Sequence, residues 1–142
     1  AGVLAAPLAD SAVVAMPTLP EALVSGPGTL PADPATAARA LLHSNCAPCH
    51  RPGGGAPTDL DLRWDKPLGQ TRTCNVLPQN GDFAGAAKGI VVPGQPEASA
   101  LWLRTHAAPG RAMAMPPVGN RLASQQLQAI LTSWIQRLQG CD

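Results

Sequence analysis

The chain of 142 residues has few aromatic side chains: three Trp, one Phe and no Tyr. A domain of this size usually fills its core with more aromatic volume, because each buried ring removes roughly 150–250 Å² of surface from water. A large planar apolar group bound inside the fold could supply the volume that is missing. The scarcity of aromatic residues therefore favours a domain that is built around a cofactor.

Charge is also scarce. Charged residues make up 13% of the chain and the net charge is +1. No basic stripe is present, so we do not expect a nucleic acid partner. No uninterrupted apolar run approaches the roughly 18 residues that a membrane span needs. The length, together with the absence of an internal repeat, predicts one folded domain.

The N-terminal segment, residues 1–32, differs from the rest of the chain in composition. It is rich in Ala, Val, Leu and Pro, and its repeated prolines exclude a long helix. Two interpretations stay open: a linker from an upstream domain, or an extended apolar arm that lies over the body. Residues 33–142 are expected to form the folded domain.

Helix signals predict an all-α domain. Asp33 followed by Pro34 is a typical N-cap and first helical position, and the helix that begins there leads into residue 46. Similar patterns predict a second helix over residues 96–105 and a third that Ser124 caps and Gly140 ends. The connections between these three or more short helices are long for a compact domain, unless they pack around a bound group.

The sequence Cys46-Ala47-Pro48-Cys49-His50 is the attachment pattern of a c-type haem. One helical turn brings both thiols within reach of the two vinyl groups of one porphyrin, and the next residue supplies an imidazole to the iron. The alternatives are a thioredoxin-like redox pair, which should follow a strand, and half of a zinc site, which needs a second ligand cluster. We therefore predict a covalent haem on Cys46 and Cys49, with His50 as an iron ligand.

The second axial ligand has several candidates. Met115 precedes two prolines in the loop between the second and third predicted helices, and these prolines would hold its thioether at one position. Met113 is the first alternative, and His43 and His106 are further ones, although His106 can instead bond the last carbonyls of its helix. Met16 is expected to pack in the N-terminal segment. We predict that Met115 is the ligand.

The remaining cysteines, Cys74 and Cys141, are an even pair. Such a pair indicates a disulfide and an oxidising compartment; the alternative is two unrelated buried thiols. The chain starts at Ala1 with no basic leader region, which suggests a mature or excised fragment whose export signal has been removed. Both features favour a periplasmic or secreted protein.

These features together resemble a small monohaem c-type cytochrome of the Met/His class, over roughly residues 34–142. The haem motif, Met115 with its prolines and the apolar final helix carry this resemblance. More narrowly, several segments resemble the cytochrome c modules appended to secreted or periplasmic sugar-dehydrogenase-like proteins: residues 45–54, 61–63, 73–75, 92–94, 134–135 and Cys141.

The resemblance implies a cytochrome c-like fold, with long loops wrapped around one covalent haem and the first and last helices crossing beside it. It also implies that Cys74 and Cys141 are bridged. A proline carbonyl should accept a hydrogen bond from the ring N–H of His50, and Pro57 is the proline that best matches this role. Arg63, Trp64 and Arg72 are candidates for contacts with the haem propionates, or else solvated and packing residues.

The expected function is electron transfer rather than catalysis. Methionine opposite histidine fills the sixth iron position and raises the reduction potential relative to two histidines. We expect single electrons to pass from a dehydrogenase-type donor, fused or associated, to another redox protein. Two alternatives stay open: a haem enzyme or sensor, peroxidase-like or gas-binding, whose sixth position is open or displaceable, and a docking module in which haem mainly provides a core.

Overall fold

The computed structural model describes residues 33–81, 83–108, 111–117 and 125–141. The predicted arm over residues 1–32 and the Ser124 cap lie outside these ranges. Within them the chain forms three α-helices and no β-strand, so the all-α prediction is confirmed at this level. The helices are α1, Pro34–Asn45; α2, Ala100–His106; and α3, Gln125–Arg137, and two 3₁₀ turns lie at Leu68–Gln70 and Pro96–Ala98.

Helix α1 begins where the sequence predicts it. The Asp33 carboxylate accepts hydrogen bonds from the backbone N–H of Ala35 (3.0 Å) and of Thr36 (3.3 Å), which satisfies two of the donors that a helix start leaves without partners. Pro34 occupies the first helical position, where its missing N–H costs nothing. The helix ends at Asn45 and leads directly into Cys46.

The second predicted helix is divided into two elements. Ser99 has an extended backbone (φ −96°, ψ 120°) and separates the 3₁₀ turn from α2. Its hydroxyl accepts from the Val92 N–H (2.9 Å) and donates to the Gln95 carbonyl (2.8 Å). These bonds to the preceding loop compete with a continuous helix, so α2 starts at Ala100 rather than at Pro96.

The core lies where α1 packs against α3. Ala37 and Ala38 of α1 are completely buried, and their small side chains let the two helices approach closely. The buried cluster is mostly aliphatic, with one aromatic ring: Ala37, Ala38, Leu42, Ala47, Leu62, Val91, Ile130, Leu131, Trp134 and Ile135. Burying each large apolar side chain contributes roughly 1.5–3 kcal/mol, so this packing fixes the helix that delivers the Cys46 motif.

A disulfide ties the middle of the chain to its C-terminal end. Cys74 and Cys141 are bonded, with their Cα atoms 5.6 Å apart, which confirms the predicted pairing. Cys74 also bridges Val91 in a short parallel contact, and the Ile90 N–H donates to the Val76 carbonyl (2.7 Å). In the described ranges no helix has the length and apolar character needed to cross a membrane.

Candidate functional site

A mostly aliphatic cavity of about 460 Å³ lies between the three helices and the loops that connect them. Its volume falls in the range of small-molecule and cofactor sites, about 300–1,000 Å³. Four of its lining residues are those that the sequence predicts for the haem: Cys46, Cys49, His50 and Met115. The fold therefore brings two thiols, an imidazole and a thioether onto one cavity, although His50 and Met115 lie 65 positions apart in the sequence.

The Cys46–His50 motif forms one further turn after α1. The Cys46 carbonyl accepts from the Cys49 N–H (3.1 Å) and from the His50 N–H (2.8 Å). Both cysteines are free thiols; Cys46 is partly buried and Cys49 is exposed. Burial, reinforced by the neighbouring Cys49, raises the pKa of the Cys46 thiol to about 11, so this thiol is uncharged at neutral pH.

The loop after the motif folds back over it. The Ala56 N–H donates to the Cys49 carbonyl (3.2 Å) and the Leu62 N–H donates to the His50 carbonyl (3.0 Å). A Cβ atom on Gly54 would collide with the carbonyl oxygen of Cys49, so the backbone can pass this close only at a glycine. These contacts fasten one wall of the cavity to the motif.

The His50 ring is oriented by Thr58. The imidazole Nδ1 lies 3.1 Å from the Thr58 hydroxyl oxygen, which leaves Nε2 as the other ring nitrogen for a ligand. The Thr58 N–H donates to the Ala56 carbonyl (2.8 Å) and forms a tight turn around Pro57. This turn brings the Thr58 hydroxyl to the imidazole, so the partner of Nδ1 is this hydroxyl and not the Pro57 carbonyl that the resemblance implied.

The electrostatic surroundings of His50 favour the neutral imidazole. Its pKa is lowered, first by burial and second by the positive charge of Arg104. A neutral imidazole is the form that binds metal ions. His50 is therefore held in the protonation state that an iron ligand requires.

The structure distinguishes the two methionines of the loop. Met115 lines the cavity and Met113 does not. A Cβ atom on Gly81 would collide with the terminal methyl group of Met113, because the Met113 side chain packs directly over this glycine. The Met115 N–H donates to the Arg104 carbonyl at the end of α2 (3.0 Å). Of these two thioethers, the one the sequence predicted faces the cavity.

The two alternative histidines lie elsewhere. His43 Nδ1 accepts from the backbone N–H of Trp64 (3.1 Å). The His106 ring stacks on Trp102 with 3.9 Å between ring centroids, and its Nδ1 lies 2.8 Å from the Trp102 carbonyl oxygen. Neither histidine lines the cavity, and His106 contacts a carbonyl of its own helix, which was the alternative interpretation of this residue.

Among the candidates for propionate contacts, only Arg72 lines the cavity. Arg63 instead pairs with Asp61 (2.6 Å between Nη2 and a carboxylate oxygen), and Trp64 lies outside the cavity lining. Arg104 also lines the cavity and was not among the predicted residues. Its one sequence signal, a basic residue in the last turn of a helix, is equally typical of charge compensation at a helix end.

The residues present fit a haem. Two thiols one turn apart could attach a porphyrin, and a neutral imidazole and a thioether could bind its iron. Two arginines on the lining could donate to its carboxylates. Val76 and Leu77 also line the cavity and remain 42% and 69% exposed, as expected of apolar side chains that contact a bound group near the surface. The described residues contain no group of three or more His, Cys, Asp or Glu side chains that would hold a bare metal ion.

No protein-family model, curated protein or solved structure matches this chain. The combination of residues on the cavity lining is specific, because the motif supplies both attachment cysteines and one ligand within five consecutive positions and a distant loop supplies the second ligand.

Proposed function

We propose that this protein transfers single electrons through one covalently bound haem c. Cys46 and Cys49 would hold the group by thioether bonds, and His50 and Met115 would be the two axial ligands. The observation that carries the proposal is that these four residues line one mostly aliphatic cavity. The remaining two cysteines are bonded to each other, which leaves the motif thiols as the free pair. A bound haem supplies reversible one-electron chemistry at its iron.

Residues of the chain could orient the proposed histidine ligand and provide an apolar environment for the haem. The Thr58 hydroxyl fixes the His50 ring, and such an outer partner sets both the tautomer and the orientation of a ligating imidazole. The mostly aliphatic lining would limit the access of water to the ligands, which favours a sixth ligand from the protein over one from solvent. Cys49 and Leu77 are exposed, so part of the lining reaches the surface, where a redox partner could approach.

The proposed partners are a dehydrogenase-type electron donor and a second redox protein, in the periplasm or outside the cell. The disulfide is compatible with such an oxidising compartment. Because the net charge is only +1, electrostatic steering should be weak and association should depend little on salt concentration.

The first experiment tests the haem and its coordination. The chain is produced in a bacterial periplasm that contains a haem-attachment system, and covalent haem is assayed after denaturation and acid extraction. We expect haem that stays on the polypeptide, a weak far-red sulfur-to-iron charge-transfer band in the oxidised protein and slow binding of carbon monoxide in the reduced protein. The Cys46→Ala/Cys49→Ala variant is the control and should release the haem on extraction.

The outcomes separate the alternatives. A wild-type chain that acquires no covalent haem overturns the proposal. Covalent haem without the far-red band, together with rapid carbon monoxide binding, replaces electron transfer with the haem enzyme or sensor. Haem with the band but no electron exchange with soluble redox mediators supports the docking module instead.

A matched pair of variants tests the axial ligand. Met115→Ala should abolish the far-red band and accelerate carbon monoxide binding, whereas Met113→Ala should preserve both properties of the wild type. The opposite result would make Met113 the ligand.

A further inference from the structure

Arg104 connects three segments that line the cavity: the end of α2, the loop that carries Met115, and the segment of the chain that ends at Asn80. We propose that Arg104 is a positioning residue, which holds the Met115 loop against the cavity and so keeps the thioether available as an axial ligand. This inference rests on the proposed function, because a ligand position has meaning only when haem is bound.

The backbone of Arg104 makes the first connection. Helix α2 ends at His106, so the Arg104 carbonyl is among the last four of the helix and has no partner inside it. This carbonyl accepts from the Met115 N–H at 3.0 Å. The proposed ligand is therefore anchored, through its own amide, to the end of a helix whose first residues line the same cavity.

The side chain of Arg104 makes the second connection. Its Nη1 donates to the Met113 carbonyl (3.5 Å), and its Nη2 donates to the Asn80 carbonyl. The guanidinium carbon lies 5.6 Å from the centroid of the Phe83 ring, within the range of a cation–π contact. One planar group thus joins the Met loop to Asn80 and Phe83, which are distant from that loop in sequence.

The chemistry favours arginine over lysine at this position. A guanidinium presents five N–H donors in a rigid fork and can serve two carbonyls while its face covers an aromatic ring. A lysine ammonium is a compact charge on a flexible stem and cannot make this planar set of contacts. Burial lowers the pKa of Arg104, but an arginine stays protonated in proteins, so all its donors persist.

The Gly81–Met113 contact shows that the two joined segments are closely packed. A Cβ atom on Gly81 would collide with the Met113 side chain, and Gly81 has φ +72°, a left-handed conformation that glycine adopts without strain. Arg104 spans this contact, since its two carbonyl partners belong to Met113 and to Asn80, the residue before Gly81. Loss of the guanidinium should therefore loosen the Met loop and leave the thiols and His50 in place.

The test compares Arg104→Lys and Arg104→Ala with the wild type after haem attachment. Arg137→Lys is the matched control, because Arg137 is likewise an arginine in the last turn of a helix but lies outside the cavity lining. The measurements are the amplitude of the far-red band, the temperature at which the band disappears, and the rate of carbon monoxide binding. Helix unfolding, followed separately by circular dichroism, reports global stability.

We expect both Arg104 variants to retain covalent haem and to lose most of the far-red band well below the temperature at which the helices unfold. Carbon monoxide should bind faster than in the wild type, and Arg137→Lys should behave as the wild type does. A wild type without the band would overturn the proposed function itself. A wild type with the band, and Arg104 variants that keep it up to global unfolding, would overturn this inference alone.

A measurement on the wild type keeps the inference testable if the variants do not fold. The Met115 amide should exchange its hydrogen slowly, together with the amides of α2, because the Arg104 carbonyl holds it. Rapid exchange of this amide in a folded, haem-loaded protein would contradict the anchoring role.

Discussion

His50 Nδ1 lies 3.1 Å from the hydroxyl oxygen of Thr58. A ligating imidazole that coordinates through Nε2 must carry its proton on Nδ1, and this proton needs an acceptor when the ring is partly buried. The Thr58 hydroxyl can fill that role because a tight turn around Pro57 brings it to the ring. The contact thus joins the residue proposed to bind iron to the loop that forms one wall of its cavity.

Thr58→Val should weaken this arrangement in two measurable ways. The unpaired Nδ1–H should lower the free energy of unfolding by about 1 kcal/mol. His50 would also become a less basic ligand, because a hydrogen bond to the second nitrogen raises basicity, so the midpoint potential of the haem-loaded protein should rise. Thr58→Ser keeps a hydroxyl and should restore both values. Equal behaviour of the Val and Ser variants would contradict the role of the hydroxyl.

Two adjacent glycines offer a direct test of the loop that folds over the motif. Gly54→Ala should destabilise the protein by about 1–3 kcal/mol, because its Cβ would collide with the rigid backbone carbonyl of Cys49. Gly55→Ala meets no atom within 4 Å and should leave stability unchanged or raise it by up to about 1 kcal/mol through the entropy of the unfolded chain. Urea unfolding measures both values. Equal free energies of unfolding for the two variants would show that the Cys49 carbonyl does not exclude a side chain at position 54.

The helix start that the sequence predicted correctly depends on neighbouring residues. The Asp33–Pro34 signal marks the start of α1 because the cap bonds only to the next residues along the chain. The break at Ser99 was not predicted, since its hydroxyl bonds to Val92 and Gln95 in a loop whose path the sequence pattern does not reveal. The pairing of Cys74 with Cys141 followed from counting cysteines rather than from any local pattern.

The residues of the site also differ in how far local sequence can predict them. The spacing of Cys46, Cys49 and His50 is itself a local pattern, so it could be read directly. The different environments of Met113 and Met115 depend on packing over Gly81, which lies more than thirty positions earlier. Arg104 and Thr58 escaped prediction because their roles exist only in tertiary contacts, and an arginine near a helix end or a threonine in a loop has an ordinary local explanation.

The Cys74–Cys141 disulfide should make a large contribution to stability. It closes a separation of 67 residues, for which the chain-entropy account gives about 4 kcal/mol as an upper value. The Cys74→Ser/Cys141→Ser variant should therefore unfold at a markedly lower urea concentration, and haem attachment should be reduced because Val76 and Leu77 of the cavity wall follow Cys74 closely. A variant with the wild-type unfolding midpoint would contradict this expectation.

Asp61 should give the protein an acid-sensitive contribution to stability. Its carboxylate accepts from Arg63 Nε (2.8 Å) and Nη2 (2.6 Å), and these hydrogen bonds lower the pKa of Asp61 from 3.8 to about 2. The pKa of Asp61 is lower in the folded state than in the unfolded state. The ion pair therefore contributes its full stabilisation at pH values above the unfolded-state pKa, and this stabilisation is lost as the pH falls toward the folded-state pKa. Since the Arg63 side chain is 37% exposed, we expect only about 0.5–1 kcal/mol.

The free energy of unfolding of the wild type and of Asp61→Asn is measured by urea unfolding at a series of pH values, from neutral pH down to the lowered pKa of Asp61. The variant should be less stable at neutral pH, and the difference should shrink as acid protonates Asp61 in the wild type. Asp59→Asn is the control, because Asp59 forms an exposed pair with Arg72 (3.7 Å) and should change stability little at any pH. A stability difference for Asp61→Asn that stayed constant down to the lowest pH would mean that the Asn substitution acts through packing and not through the charge of the Asp61–Arg63 pair.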